Sequence, residues 1–536
     1  MQQDEFDVVI SGYGPTGMVA ASLLAQRGRK VCVFERWPSL YGQPRMATID
    51  GETARIIQNA GNTEDAFRHS VARPRYIQAN EASQVLIDHD WNKEHICGFP
   101  HRISLHQPDI EDAMDAMARQ NGAEINQSWE VQAVSQDDAF VSVTAQFRQP
   151  DSTLTGSPRV VRSKYLIGAD GARSTVRRLL GIEREGWPFR DAWLSIDATR
   201  KWELPNLLGL SPDGRIAVIF CAPEGRAHSI IPLGLNHLRF NFRIDPDTPH
   251  DGKLHREDAL RRIREVYGVT EDDIEVYREA LYPFEGKLAR KWREGRIFLA
   301  GDAAHSMTPF YGQGGCSGLR DSINLAWKLD LVLTGKADEK LLDTYEAERI
   351  PHVRVHIDNS DKLGALIFMM DPSEAAERDR KLLSGQGEPP KPEPLTDQGI
   401  VHRVDGRAIA PVGTIGPQGV VSSQGHQARL DDIVGWGFQV IAESEAVLAK
   451  LNPDQQAFLT SIGAHIAVMD GSQGERSFED ASGIYRNYLK QYGLSFFVMR
   501  PDFIVFGAGS TAEDLSRVVD SLRDQLQGNL AISIAA

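Results

Sequence analysis

The chain has 536 residues, 59 Lys and Arg against 74 Asp and Glu for a formal net charge of −15, and four cysteines. That length suits about three domains, and the acidic balance repels phosphate backbones and anionic lipid, so neither nucleic acid nor a membrane is an expected partner. Cys32, Cys97, Cys221 and Cys316 are widely scattered, without the paired spacing of a zinc or iron–sulfur site, so no metal and no disulfide framework is expected.

In chain order, FDVVIS from Phe6 reads as a strand, followed by a glycine turn, a helix over residues 15–27 and a second strand, VCVFE, from Val31. This is a βαβ unit. The N-terminal text lacks the basic and apolar regions of a signal peptide, and no run reaches the ~20 apolar residues of a membrane helix, so a reduced, cytoplasmic location is expected. KYLIGADGARSTVRRLLG repeats the idea of a strand delivering a glycine turn onto a helix. Between 187 and 290 the pattern changes to WLSIDA, RIAVIF, HSIIPL and LRFNF, which predicts an antiparallel sheet.

A third strand–turn unit, GRIFLAGDAAH, places a strand at 296–300. The helix after it is predicted over 317–333, because Leu319, Ile323, Ala326, Leu329 and Leu333 recur at helical spacing. SGQGEPPKPEPL, residues 384–395, reads as a linker or exposed loop. Beyond it come FQVIAES, a helix predicted over 446–461, AHIAVMD, FFVMR, FIVFG and a last helix with a capping-box start at Ser510 and Glu513. This cysteine-free tail reads as a small α/β domain.

Gly12, Gly14 and Gly17 satisfy GxGxxG, with Pro15 and Thr16 between the last two, and Glu35 closes the second strand. Such glycines permit a tight turn and close backbone approach, the helix N-terminus receives a pyrophosphate, and the acid bonds a ribose hydroxyl. In FLAGDAAH, Asp302 ends a strand where a carboxylate can accept hydrogen bonds from a polyol, such as the ribityl chain of a flavin. Asp170 and Gly171 form a similar strand-end turn, with Ser174 and Arg177 leading into a helix.

These three segments, together with PRMATIDGETARIIQNAG at 44–61 and PFYGQGGCSGLRDSINLAWKL at 309–329, resemble the single-component FAD-dependent aromatic hydroxylases of para-hydroxybenzoate hydroxylase fold. The likeness is greatest to the 3-(3-hydroxyphenyl)propionate hydroxylase and phenol hydroxylase branch. The resemblance covers residues 6 to about 365, and the tail, with its ending RPDFIVFG, is similar to the redox-inactive thioredoxin-like domain of those relatives. It implies an α/β protein: a Rossmann-like FAD-binding domain (1–186 and 291–383, with some pocket strands near 74–106), an inserted antiparallel-sheet substrate domain (187–290), a linker (384–399) and a thioredoxin-like domain (400–536).

The resemblance further implies FAD as cofactor, NADH or NADPH as transient co-substrate, and hydroxylation of a phenolic ring by O₂ through a flavin C4a-hydroperoxide. Glu35 and Arg36 would hold the adenosine end, and Arg45 and Gln107 would lie along the phosphates and ribityl chain. Asp170 belongs to the second signature, Asp302 would bind the ribityl group, and Pro309, Gly312, Gly314, Gly315 and Cys316 would flank the isoalloxazine ring. Many relatives have Asn where this chain has Cys316, so a side-chain role there is in doubt. Appended tails in relatives take part in subunit contacts, which leaves a homodimer open.

A phenol is a poor nucleophile until ionised, so a basic group or proton relay beside it should help. His101, His228, Tyr282 and Tyr311 are the candidates, each with a packing role as the alternative. Arg102, Arg190 and Arg243 could pair with a substrate carboxylate or simply be solvated. Phe189, Trp193, Phe220 and Phe242 could line a pocket or fill the sheet core, and His305 could be structural. No second GxGxxG on a βαβ unit and no redox-active cysteine pair is present. An FAD enzyme of the same fold that does not insert oxygen, and a non-enzymatic dinucleotide-binding protein, remain the competing readings.

Overall fold

A computed structural model describes residues 4–201, 215–245, 256–471 and 474–529; the termini of the first and last expected units, 1–3 and 530–536, lie outside them. The strand Asp4–Ser11 is the centre of an eight-stranded sheet, parallel to Val31–Glu35 on one side and to Leu154–Gly168 on the other. Val8, Val9 and Ile10 are fully buried, because helices and strands cover both faces of a parallel sheet and favour continuous β-branched runs there. Ile297–Leu299 adds to Leu154–Gly168 in parallel, so the three strands that end in glycine turns are adjacent and deliver their turns to one edge. This is the topological position at which open α/β sheets bind ligands.

The helices confirm the sequence pattern with small shifts. The first spans Pro15–Gln26 and the long one Gly314–Leu333, three residues earlier at its start than periodicity predicts, because its opening glycines carry no apolar signal. The two helices pack where Gly318 faces Thr16, and Ser322 donates to the Thr16 carbonyl at 2.7 Å.

The second large sheet has the order His305–Ser306, Ile274–Ala289, Arg184–Arg200, His237–Ile244, His228–Leu233, Ala217–Cys221, Arg75–Asn80, Val85–Asp90. Its pairs are antiparallel except Ala217–Cys221 with Arg75–Asn80, which run parallel, so the sheet is mixed where an antiparallel one was expected. Alternation divides its side chains between two faces. Ile196, Phe220, Phe240 and Phe242 pack outward under Ala259, Leu260, Ile263 and Tyr267 of the helix Arg256–Tyr267. Tyr76, Trp193, Ile219 and Phe284 face inward against Phe310 and Phe368. Because Leu288 pairs with His305 and Lys287 with Ser306, this sheet is stitched to the chain immediately after the third glycine turn.

The tail holds a four-stranded sheet ordered His465–Val468, Gln439–Ala442, Phe496–Met499, Val505–Gly509, with the first pair parallel and the others antiparallel. A βαβ unit followed by an antiparallel hairpin and a final helix is the thioredoxin-like arrangement. The helix expected over 446–461 is two pieces, Glu445–Leu448 and Pro453–Ser461, since Pro453 cannot continue a helix but starts one well. The last capping box also sits one residue later than expected. Thr511 accepts from the Asp514 amide at 3.1 Å and Asp514 accepts from the Thr511 amide at 3.0 Å.

Candidate active site

The glycine turns are close-packed against one another. A Cβ on Gly12, which has φ +99°, would lie 2.4 Å from the Ala169 carbonyl oxygen of the second turn, and one on Gly17 would lie 2.2 Å from the Gly12 carbonyl oxygen. A Cβ on Gly301, at φ +59°, would lie 2.6 Å from the Thr16 hydroxyl, and one on Gly318 2.5 Å from it. Gly14 is the opposite case: an added Cβ meets nothing within 4 Å. It is the N-cap of Pro15–Gln26, with Pro15 in the first turn and no side chain bonded to the cap. The first-turn amides therefore open onto free space, as an anion-receiving helix start requires.

Glu35 accepts hydrogen bonds from the Tyr13 amide at 2.6 Å and the Trp37 amide at 2.9 Å, and burial pushes its carboxyl up. It fixes the first turn and the loop that follows it. On that loop Arg36 lies over the Trp37 ring and Arg45 over the Tyr41 ring, at 5.6 and 5.0 Å. Gln107 is buried; its Oε1 accepts from the Arg45 and Met46 amides at 2.7 and 2.8 Å while Nε2 donates to Glu111. It acts on the backbone of this loop, a positioning role.

Asp302 and Asp170 differ in their partners. Asp302 is exposed, and among the described residues no donor is recorded on its carboxylate. Asp170 accepts from the Ser174 hydroxyl and from the Thr175 and Val176 amides at 2.5, 2.7 and 3.1 Å. Its carboxylate caps the helix Thr175–Leu179 from within the second signature. The third turn is held by a residue without a signal in the sequence. Asp321 accepts from the Gly301 amide at 3.0 Å, His305 Nε2 at 2.7 Å and Arg349 Nε at 2.8 Å. Those partners hold its carboxyl down at about 2 despite full burial. His305 is accordingly structural, buried and stacked on Trp292 at 5.2 Å.

Pro309 is exposed, Gly312 adopts φ +66°, and the helix Gly314–Leu333 starts at Gln313 with no side chain bonded to its cap. A Cβ on Gly315 would lie 2.2 Å from Met46 Sδ, so this glycine admits the loop held by Gln107. The Cys316 thiol is buried, 3.5 Å from the Gly312 carbonyl oxygen, and pushed up to about 11 mainly by burial; it is an inert packing group. Beneath the loop, Arg320 joins Asp50, Glu52 and Gln313 at 2.6, 2.6 and 2.8 Å. Arg320 and Asp321 stand inside the segment that carries the family likeness, but a single sequence gives no sign that they, rather than their neighbours, bear the load.

Of the four proton-relay candidates, the structure brings one to the aromatic face opposite the turns. Tyr282 pairs with Trp193 across the sheet and shares the inward face with Phe284. It is 42% exposed, and its hydroxyl is pushed up by the groups packed around it and by the Asp302 charge. The Tyr282 hydroxyl and the Asp302 carboxylate are therefore near enough to interact electrostatically. Next to Tyr282, Trp193, Phe284, Phe189, Phe310 and Phe368 form an aromatic cluster in mutual ring contact.

His228 is a correction. It lies on the outward face, stacked on Phe220 at 4.5 Å and bonded to the Tyr267 hydroxyl at 2.8 Å, because residues one apart in a strand point to opposite sides. Phe220 and Phe242 go with it into the outer core. His101 sits beside His95 and is held down at about 4 by burial and Arg102. Tyr311 turns toward His356, 5.9 Å between rings. Of the three arginines expected for a substrate carboxylate, Arg243 faces Asp191 at 3.1 Å and Arg102 faces Asp50 at 3.6 Å, while Arg190 is exposed, 3.5 Å from Glu285.

An uncapped helix start behind GxGxxG, a ribose-reach acid and an exposed, unpaired Asp302 together fit FAD, whose pyrophosphate and ribityl chain need these donors and acceptors. The fold and its glycine turns thus define a flavin-dependent oxidoreductase. The profile described as FAD binding domain matches residues 5–360, and the HcaD C-terminal domain profile matches 413–525. Among curated proteins, the chain is 34% identical over 526 residues to "Probable NADH-specific resorcinol 4-hydroxylase" of Rhodococcus jostii (strain RHA1), covering 96% of this chain and 94% of the relative. It is 30% identical to "3-(3-hydroxy-phenyl)propionate/3-hydroxycinnamic acid hydroxylase" of Mycobacterium sp. (strain JLS), covering 94% and 89%. The crystal structure of the flavin-dependent monooxygenase PieE in complex with FAD and substrate has the same fold, with TM-score 0.76 at 21% identity over 97% of this chain and 99% of that one. The chain belongs to the FAD binding domain family and is a flavoprotein aromatic hydroxylase that uses FAD, a nicotinamide reductant and O₂. Among the described residues no helix is long and apolar enough to cross a membrane.

Proposed function

We propose that the substrate is a small neutral phenol of the resorcinol type, hydroxylated on the ring at the expense of NADH. The observation that carries this reading is the aromatic inward face around Tyr282, with Trp193 paired to it across the sheet and Phe284 beside it. Among the described residues the inward face offers aromatic surface and the Tyr282 hydroxyl, and Arg102 and Arg243 face the carboxylates of Asp50 and Asp191. A carboxylate brought into such a wall unpaired carries a desolvation cost that a neutral phenol avoids. The relative whose name specifies NADH and resorcinol supports the same reading.

Bound FAD would supply hydride acceptance from the nicotinamide and transfer of one atom of O₂ to the ring, the other leaving as water. The protein contributes the rest. The open start of Pro15–Gln26 receives the pyrophosphate, Glu35 and Arg36 hold the adenosine end, and Asp302 accepts from the ribityl hydroxyls. Asp321 keeps Asp302 in place by gripping the Gly301 amide. Tyr282, a phenol that is protonated at neutral pH, donates a hydrogen bond to the substrate oxygen. The ring-on-ring wall excludes water from the reacting face.

Comparing resorcinol with 3-(3-hydroxyphenyl)propionate in NADH-dependent turnover tests this reading. The neutral phenol should show at least about tenfold higher kcat/KM, since an unmatched polar group in a pocket is discriminated against by that order or more. A preference for the propionate would overturn it.

A further inference from the structure

The helix Thr344–Ile367 carries His352 and His356 four residues apart, hence on one face. Their side chains are 12% and 0% exposed and their rings meet edge to face at 4.6 Å. Glu393, in the irregular segment that follows the helix Pro372–Leu383, brings Oε2 to 3.7 Å from His352 Nε2 and Oε1 to 3.6 Å from His356 Nε2. These separations are too long for hydrogen bonds. They lie close to the edge of a tetrahedron, about 3.4 Å, whose corners sit ~2.0–2.1 Å from a central ion. One ligand atom from each of the three residues falls within 4.8 Å of the other two.

Three further observations point to an ion. His356 is buried with neither ring nitrogen hydrogen-bonded, and His352 has no partner at Nδ1; a buried polar group left unpaired costs about 1–3 kcal/mol, so these need a partner. The Glu393 segment is pinned in place: the Asn359 amide and the Lys391 backbone exchange two hydrogen bonds of 2.9 Å, and Lys391 Nζ reaches Asp358 at 2.6 Å. A cavity of about 200 Å³, lined by His352, Glu393, Glu52 and Leu395 among others, adjoins the cluster and gives room for water and an entry path. The nearby guanidinium groups have carboxylate partners, Arg320 with Asp50 and Glu52, and Arg349 with Asp321. Burial holds both imidazoles in the neutral, ligating form.

We propose that His352, His356 and Glu393 bind one divalent transition-metal ion, zinc by the chemistry of a two-histidine, one-carboxylate set, and that the ion clips the segment carrying Glu393 to the helix Thr344–Ile367. Water from the cavity completes the coordination shell, as in other sites with three protein ligands. Cysteine spacing carries no sign of the site because no cysteine takes part.

The test is a zinc titration of the chelator-treated, FAD-loaded full chain against a chromophoric competitor, with limited proteolysis of the 384–399 segment in parallel. One equivalent should bind and slow cleavage. His356→Ala and Glu393→Gln should each weaken binding more than about tenfold, since even partners behind a metal ligand are worth 10–100-fold, and neither should then gain protection from zinc. Glu393→Gln lies on a half-exposed side chain, so retained FAD verifies its fold and this variant decides alone if His356→Ala does not fold. No bound equivalent in the parent, or Glu393→Gln binding zinc as the parent does, overturns the proposal.

Discussion

Asp302 and Asp170 end similar strands, yet one is exposed and the other closes its own helix. The next few residues set the difference: Ser174, Thr175 and Val176 supply donors within reach of Asp170, whereas the chain after Asp302 turns away into the strand pair with the substrate sheet. Asp302→Ala should therefore weaken FAD binding by about 10- to 100-fold, as charge-assisted hydrogen bonds are worth roughly 1.5–3 kcal/mol. Equilibrium dialysis or flavin fluorescence on release checks it, and an unchanged affinity would remove Asp302 from the ribityl site. The motif positions were legible because glycine spacing reports backbone demands directly. Gln107 and Asp321 were not legible as positioning residues, since their work depends on amides 61–62 and 20 residues away.

At the scale of elements, the βαβ opening, the three strand–turn units and the tail's strands were readable from β-branched runs and glycine turns. What sequence could not supply is which face of a strand turns inward. His228 and Tyr282 both sit in strand-like text beside aromatics; only the pairing of Trp193 with Tyr282 and the cover given by the helix Arg256–Tyr267 separate them. The mixed character of the substrate sheet was equally hidden, because it arises from Arg75–Asn80, a strand more than a hundred residues upstream of its parallel partner.

At the scale of the molecule, the thioredoxin-like tail is bolted to the flavin domain by buried ions. Arg55, fully buried, grips Asp431 through Nε and Nη2 at 2.7 and 2.8 Å. Arg500 likewise grips Glu348, which also takes Lys328 at 2.7 Å, the Asn324 amide at 2.7 Å and the Ile400 backbone amide at 2.9 Å. Arg500 and Asp502 thereby give the RPDFIVFG ending its structural meaning. Removing one partner of a buried pair costs about 3–5 kcal/mol, so Asp431→Ala should lower the stability of the whole chain in urea, with flavin release and tail unfolding in one transition. Separate melting of the tail with flavin retained would show the two units to be independent.

The reaction is oxygen insertion into a phenolic ring. Turnover of the FAD-loaded protein with NADH, resorcinol and ¹⁸O-labelled dioxygen tests it directly by product mass. The expected product carries one labelled oxygen atom, with NADH consumed; NADH oxidation that leaves the phenol unlabelled and unchanged would contradict it.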